Sequence, residues 1–165
     1  MRELVTDAIV LDKEPVREFD ARVSLFTKEL GRVTAVVTSA RKIISKLSPH
    51  VEPLMVSEVR LTEKGGMHLT DALQKKSLPH AAFPILNIIK KLSEPYAADG
   101  ELWASLTSDG ATAKEALRIL GFDPTFARCD HCLREKPEFF VFEGSAYFCD
   151  RCIPYHLDRD QYVRV

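Results

Sequence analysis

The sequence predicts an α+β chain in three parts: a five-stranded barrel, a small helical part and a cysteine-braced hairpin. Three observations predict it. Apolar and polar residues alternate in five short runs before Lys76, the spacing turns helical beyond it, and two Cys-x-x-C pairs then bracket a hairpin pattern. The predicted boundaries are residues 1–76, 77–126 and 127–165.

Val5 to Leu11 is β-branched and apolar and reads as the first strand, ending at Asp12-Lys13-Glu14-Pro15, where Pro15 has no ladder donor and suits a loop. The second and third strands form a hairpin. Val23 and Leu25 alternate with Ser24 and Phe26, Lys28 to Gly31 makes the turn, and Val33, Ala35 and Val37 alternate with Thr34, Val36 and Thr38. Gly31 closes that turn because it is free to take positive φ. Leu54 to Leu61 and Met67 to Leu73 make the fourth and fifth strands, joined across Gly65-Gly66. Five strands with a longer, helix-compatible link at 41–53 match an oligonucleotide/oligosaccharide-binding (OB) barrel, which binds on the face of strands two and three. Strand count alone leaves an SH3-like barrel open.

The formal net charge of −1 excludes a uniformly basic nucleic-acid coat, yet the sum hides a local field. Between Arg22 and Lys46 lie six cations, Arg22, Lys28, Arg32, Arg41, Lys42 and Lys46, against the single acid Glu29. Such a run is either a solvated face or a seat for phosphates. The candidates for phosphate contact are Arg22, Arg32, Arg41, Lys42 and Lys46, on and just after the hairpin. The stretch before it, up to Asp20, is acidic and argues against contact there.

Hydrophobic residues are 45% and charged residues 28% of the chain, as in ordinary globular proteins. The N-terminus MRELVTDAIVL interrupts its apolar residues with Glu3 and Asp7, so it reads as neither a signal peptide nor a spanning helix. A cytoplasmic location is expected.

Past a boundary at 77–82, three helical pieces follow. Pro84 opens one whose Ile85, Ile88, Ile89 and Leu92 recur at core spacing. Asp99 can cap a second that buries Leu102, Trp103 and Leu106. Thr112 with Glu115 has the capping-box pattern ahead of Ala116, Leu117, Ile119 and Leu120, and Gly121 stops that helix. These stripes read as packed core.

Cys129 and Cys132 are separated from Cys149 and Cys152 by sixteen residues, a spacing within the range of four-cysteine zinc sites. Phe139 to Phe142 and Ala146 to Phe148, turning at Glu143-Gly144, form the hairpin whose ends bring the pairs together. Four thiolates fill a tetrahedral zinc and leave no open position, so the metal would be structural. His131 and His156 are then spare. Disulfides are the alternative, disfavoured in a reducing compartment, and two knuckles at ribbon spacing do not suit a thioredoxin-type motif. No P-loop, nucleophile elbow, metalloprotease helix or dinucleotide fingerprint occurs, and His50, His68 and His80 stand alone, so no enzyme activity is expected.

The run LFTKELGRV, the basic SARK and the following SKL, in that order, resemble the N-terminal barrel of the RecO family of bacterial recombination mediators. ALRILGFDPTFARCDHC resembles the same family's last core helix and first cysteine pair. The chain is short for the family, with the missing length in the helical middle, and it has Thr38-Ser39-Ala40-Arg41 where the family more often has Lys-Gly-Ala-Arg. The resemblance implies an OB barrel, a reduced helical domain and a zinc ribbon packed on it. It also implies single-stranded DNA binding, annealing and recombinase loading at the nucleoid, together with the ring-forming partner RecR. The acidic tail of single-strand-binding protein, held by the helical domain in many members, is expected to bind weakly here, with Lys90, Lys91, Lys114 and Arg118 the available rim. The rival expectation is a non-catalytic adaptor that makes only protein contacts.

Overall fold

The structure is a computed structural model and describes residues 2–16, 18–38 and 47–165. It divides into two units, one comprising Met1–Ala82 with Ser93–Asp99 and the other Phe83–Leu92 with Gly100–Val165.

The first unit is a closed barrel of β1 (Arg2–Pro15), β2 (Ala21–Thr27), β3 (Gly31–Val37), β4 (Met55–Glu63) and β5 (Met67–Ser77). Neighbours run β1-β2-β3-β5-β4, with β4 returning to β1 and β3 parallel to β5 at Val36 and His68. That order is the OB fold, and it decides against the SH3-like alternative. The 14-residue β1 serves two partners, pairing from Arg2 to Ile9 with β4 and from Ala8 to Pro15 with β2. Its register slips between Val10 and Asp12, and such a bulge bends a strand enough to carry it from one partner to the other. Asp12 to Pro15, expected as loop, therefore belong to the strand. Pro15 is tolerated there because the ladder bond at that end is donated by the Val16 N–H to the Asp20 carbonyl, and among the described residues the opposite edge of β1 has no strand partner beyond Ile9.

Alternation on the strands fills the barrel. Ala8, Val10, Val23, Leu25, Val33 and Ala35 are almost wholly buried and share one cluster, while Arg22 and Thr34 face outward. The β2–β3 turn is held by Thr27, whose hydroxyl accepts from the Leu30 N–H and donates to the Gly31 carbonyl, both at 3.0 Å. Gly31 takes φ +69°, the left-handed conformation the turn requires.

One feature of this unit escaped the sequence pattern. The stretch Ser93–Asp99, which reads as a plain link between helices, returns to the barrel and lies along the start of β3. Pro95 bridges Arg32, the Tyr96 N–H donates to the Arg32 carbonyl at 3.0 Å, and Arg32 Nε donates to the Ser93 carbonyl at 3.0 Å. We refer to this stretch as the strap.

The second unit contains α1 (Phe83–Leu92), α2 (Gly100–Thr107) and α3 (Ala113–Ile119), followed by β6 (Phe139–Val141), β7 (Ala146–Phe148) and β8 (Tyr162–Arg164) in the order β7-β6-β8. The helices bury Ile85, Ile88, Ile89, Leu102, Trp103, Leu106 and Leu117, as their spacing predicts, and leave Leu92, Ile119 and Leu120 half-buried. Thr112 caps α3 by accepting from the Glu115 N–H at 3.2 Å. The reciprocal half of the capping box does not form in this way, because the Glu115 carboxylate is gripped by Arg118 at 2.8 and 3.0 Å. Beyond α3 the Phe122 N–H reaches the Leu117 carbonyl at 2.8 Å and the Gly121 N–H reaches that of Arg118 at 3.1 Å. With Gly121 at φ +89°, that pair of bonds is a Schellman stop.

No helix among the described residues is long and apolar enough to cross a membrane.

Candidate metal centre and nucleic-acid groove

The hairpin of β6 and β7 sets up the cysteine cluster. Its strands pair Phe139 with Phe148 and Phe140 with Tyr147. Phe140 is 0% exposed and packs its ring edge-on to Tyr147, with 4.9 Å between centroids. Burial and the charge of Asp123 push the Tyr147 phenol up to about 12, so it stays protonated and donates to the Phe122 carbonyl. The Asp130 N–H, inside the first Cys-x-x-C, donates to the Tyr147 carbonyl at 2.7 Å. Cys149 follows directly on β7, so that bond holds the first knuckle against the start of the second.

The four thiol sulfurs lie within 4.8 Å of one another, and Cys132 Sγ is 3.7 Å from Cys149 Sγ. A tetrahedron with metal–sulfur bonds of about 2.3 Å has edges of about 3.8 Å, so the cluster is the right size for one zinc-sized ion. Cys129 and Cys149 are buried, Cys132 is exposed and Cys152 is intermediate. Burial disfavours ionisation of Cys129, but hydrogen bonds from the backbone N–H groups of Cys132, Cys149 and His131 outweigh it and bring the thiol down to about 6. Cys152 is pushed up to about 12 by burial, by hydrogen bonds to the other three thiols and by the Cys129 charge. Four sulfurs this close cannot all ionise without a cation among them. The cluster could therefore hold a metal ion, and Cys129, Cys132, Cys149 and Cys152 are the residues the spacing predicted. His131 is no part of the set; its Nδ1 is 3.6 Å from Cys152 Sγ.

Leu133, directly after the first knuckle, holds φ +60° with its side chain 67% exposed. A non-glycine residue in that region is strained by roughly 1 to 2 kcal/mol, and little packing offsets it here. Leu133→Gly is expected to raise the thermal midpoint of the ribbon by the equivalent of about 1 kcal/mol, less the greater chain entropy of glycine when unfolded. A melt followed in the near-ultraviolet checks it, and a lowered midpoint counts against the strain.

The barrel carries the second candidate site. A groove of about 420 Å³ crosses the outer face of β2, β3 and β5, floored by Arg22, Thr34, Val36 and His68. Val16 and Asp20 of the β1–β2 loop form one bank and Gly65 and Gly66 of the β4–β5 loop the other. The Val16 N–H donates to the Asp20 carbonyl at 3.1 Å, which keeps that bank tight. A neighbouring groove of about 340 Å³ shares His68 and adds Lys64 and Thr38.

Of the five residues expected to meet phosphate, Arg22 lines the groove and is exposed, with Glu14 its partner across β1–β2 and Val36 its partner across β2–β3. Arg32 lies at the strap, its Nε committed to Ser93, and is not among the lining residues. Arg41, Lys42 and Lys46 fall outside the described residues. Asp20, at the end of the acidic stretch, supplies part of one bank. His68, which looked isolated in sequence, is central to the groove because barrel closure sets it beside Val36.

A closed OB barrel with an open groove over β2 and β3, in one chain with a four-thiol ribbon, defines an OB-fold protein with a four-cysteine module that could hold a metal ion. Residues 1–76 match the protein-family description "Recombination protein O N terminal". The chain is 26% identical over 179 residues to the DNA repair protein RecO of Rhodopirellula baltica, covering 89% of this chain and 66% of that one. It is 29% identical over 174 residues to the DNA repair protein RecO of Myxococcus xanthus, with 88% and 71% covered. Against that of Dehalococcoides mccartyi the identity is 28% over 174 residues, with 89% and 69% covered. Over residues 1–76 the chain matches the N-terminal part of the RecO family, and over nearly nine tenths of its length it is similar to RecO proteins. It spans about two thirds of the length of these relatives.

Proposed function

We propose that this chain is a DNA repair and recombination mediator that binds single-stranded DNA, anneals complementary strands and, with a RecR-like partner, assists recombinase loading. The observation that carries the reading is the groove on the β2–β3–β5 face between the two loops that flank OB ligands, in a chain whose relatives are named DNA repair proteins. No covalent chemistry is required, and the site of action is cytoplasmic, at the nucleoid. Basic groups neutralise phosphates while the partly apolar floor tolerates bases.

Arg22, Arg32, Arg41, Lys42 and Lys46 are the proposed phosphate contacts. Among the described residues that line the groove, Arg22 is the one arginine or lysine and Asp20 the one acid, so the reading also relies on the cations Arg41, Lys42 and Lys46 that follow in the sequence. Affinity for a labelled oligonucleotide should fall steeply with salt, and the Arg41→Glu, Lys42→Glu double variant should lower the log–log salt slope by about 0.7 for each phosphate that is no longer neutralised. Parental affinity with an unchanged slope in that variant would place the DNA elsewhere. The adaptor reading predicts no salt-sensitive retention on single-stranded DNA from the parent itself.

The proposed metal is zinc, held by Cys129, Cys132, Cys149 and Cys152. Bound there with no open position, it would supply structure and no catalysis.

The RecR-like partner is expected to bind through the barrel. The tail of single-strand-binding protein is expected to bind weakly: Arg118, one of the four cations available as a rim, is already paired with Glu101 at 2.7 Å and with Glu115 at 2.8 Å. Anisotropy with a labelled tail peptide checks this, and tight binding abolished by Arg118→Glu would reverse it.

A further inference from the structure

A second basin, of about 380 Å³, opens at the end of the barrel where the β2–β3 turn approaches the start of β5. Its walls are aliphatic. Leu61 is 1% exposed, Leu30 and Met67 pack on the barrel core, and Leu4 completes the lining. Around them stand two exposed carboxylates, Glu29 and Glu63, and one aromatic ring, Tyr96 of the strap. The Tyr96 side chain is 62% exposed, and its backbone is fixed at φ +57° by the bond to the Arg32 carbonyl.

Several other carboxylates on the barrel are already paired. Glu3 is paired with Arg60, Asp7 and Glu58 share Lys75, and Glu52 is paired with Lys13. Among the described residues Glu29 and Glu63 make no ion pair, and their chain neighbours Lys28 and Lys64 do not line the basin. An aliphatic floor under two carboxylates and an aromatic face suits a cation carried on an apolar stem. It repels phosphate, which separates it from the DNA groove. A bare inorganic cation would make no use of the floor, and a purely apolar side chain would leave the carboxylates idle.

We infer that this basin is a docking site for a lysine or arginine side chain presented by a protein partner. The stem lies along Leu30, Leu61 and Met67, and the charged head meets Glu29 and Glu63 beside the ring of Tyr96. The inference stands apart from the DNA reading, since none of these groups except Met67 borders the groove.

The test is a titration of the ¹⁵N-labelled full chain with n-hexylammonium, run beside hexan-1-ol and hexanoate, and then with a pentapeptide carrying one lysine flanked by leucines. Hexylammonium and the peptide are expected to shift the backbone amides of Leu30, Leu61 and Met67 saturably. Hexanol should bind about tenfold more weakly, as should hexylammonium to the Glu29→Gln, Glu63→Gln variant, in line with the loss of a charge-assisted hydrogen bond. Acetylating the peptide lysine should abolish its shifts. Equal binding of hexanol, unchanged binding to the double variant, or shifts with hexylammonium but none with the peptide would each overturn the inference. Saturable shifts at these amides with hexanoate would do so as well.

Discussion

Cys149→Ser is expected to strip the ribbon of its metal and unfold it. The free energy of zinc binding in zinc-finger peptides is about 10 to 16 kcal/mol at neutral pH, more than a small ribbon can spare. This ribbon has little else to replace it. Its sheet is three strands of three residues each, and its buried side chains there reduce to Phe140, Val141 and Val163 beside the cysteines. Cys149 is 2% exposed and sits next to β7, so its loss removes a ligand and also leaves a polar hydroxyl among three thiols. Elemental analysis of protein purified without chelator should give one zinc per parent chain and none per variant, with the near-ultraviolet signal of the ribbon aromatics lost in parallel. His131→Ala is the control and should keep its zinc, because that ring lies outside the ligand set. A metal-free preparation of the parent that is fully folded would end the structural-zinc reading.

Gly31→Ala should be the most damaging single substitution in the barrel that adds only a methyl. A β-carbon there would lie 1.9 Å from the Ala97 carbonyl oxygen, 2.3 Å from its carbon and 2.9 Å from the Ala98 nitrogen. All three atoms are backbone, so no side chain can swing aside. The left-handed φ of +69° adds about 1 to 2 kcal/mol, and the overlap adds about 1 to 3 kcal/mol more as the strap is forced away from β3. At 2 to 4 °C per kcal/mol for a chain of this size, the midpoint should drop by roughly 10 °C. Two controls separate the causes. Gly65→Ala has the same sign of φ, +65°, with nothing within 4 Å of the new carbon, and should cost only the conformational part. Gly110→Ala has neither problem and should be close to neutral. If Gly31→Ala melted within a degree or two of Gly65→Ala, the strap would not be packed as described.

Legibility followed the range over which each feature is encoded. The β2–β3 hairpin was readable because Val23, Leu25, Val33, Ala35 and Val37 alternate within a few residues of a turn that needs Gly31. The α3 cap at Thr112 and its stop at Gly121 were readable for the same reason. The Cys-x-x-C pairs were readable because a metal ligand set prescribes its own spacing. β8 was missed. Tyr162–Arg164 is three residues with no room for a period, and it becomes a strand only because β6 offers an unpaired edge some twenty residues upstream. The C-terminal part of β1 was misread as loop because its charges and Pro15 suit a turn locally, while pairing with β2 outweighs that preference.

By itself the sequence determined the β2–β3 hairpin, the three helices, the four clustered cysteines and the concentration of positive charge between Arg22 and Lys46, since each depends on residues close together in the chain. Tertiary structure alone decided three further things. Closure of β3 on β5 made His68 part of the groove, return of the strap to β3 engaged Arg32 Nε with Ser93, and the convergence of Leu4, Glu29, Glu63 and Tyr96 built the acidic-apolar basin. The reason is the same for all three: the contacts join residues many tens of positions apart, and no local propensity records which distant backbone will satisfy an open strand edge or cover an apolar end.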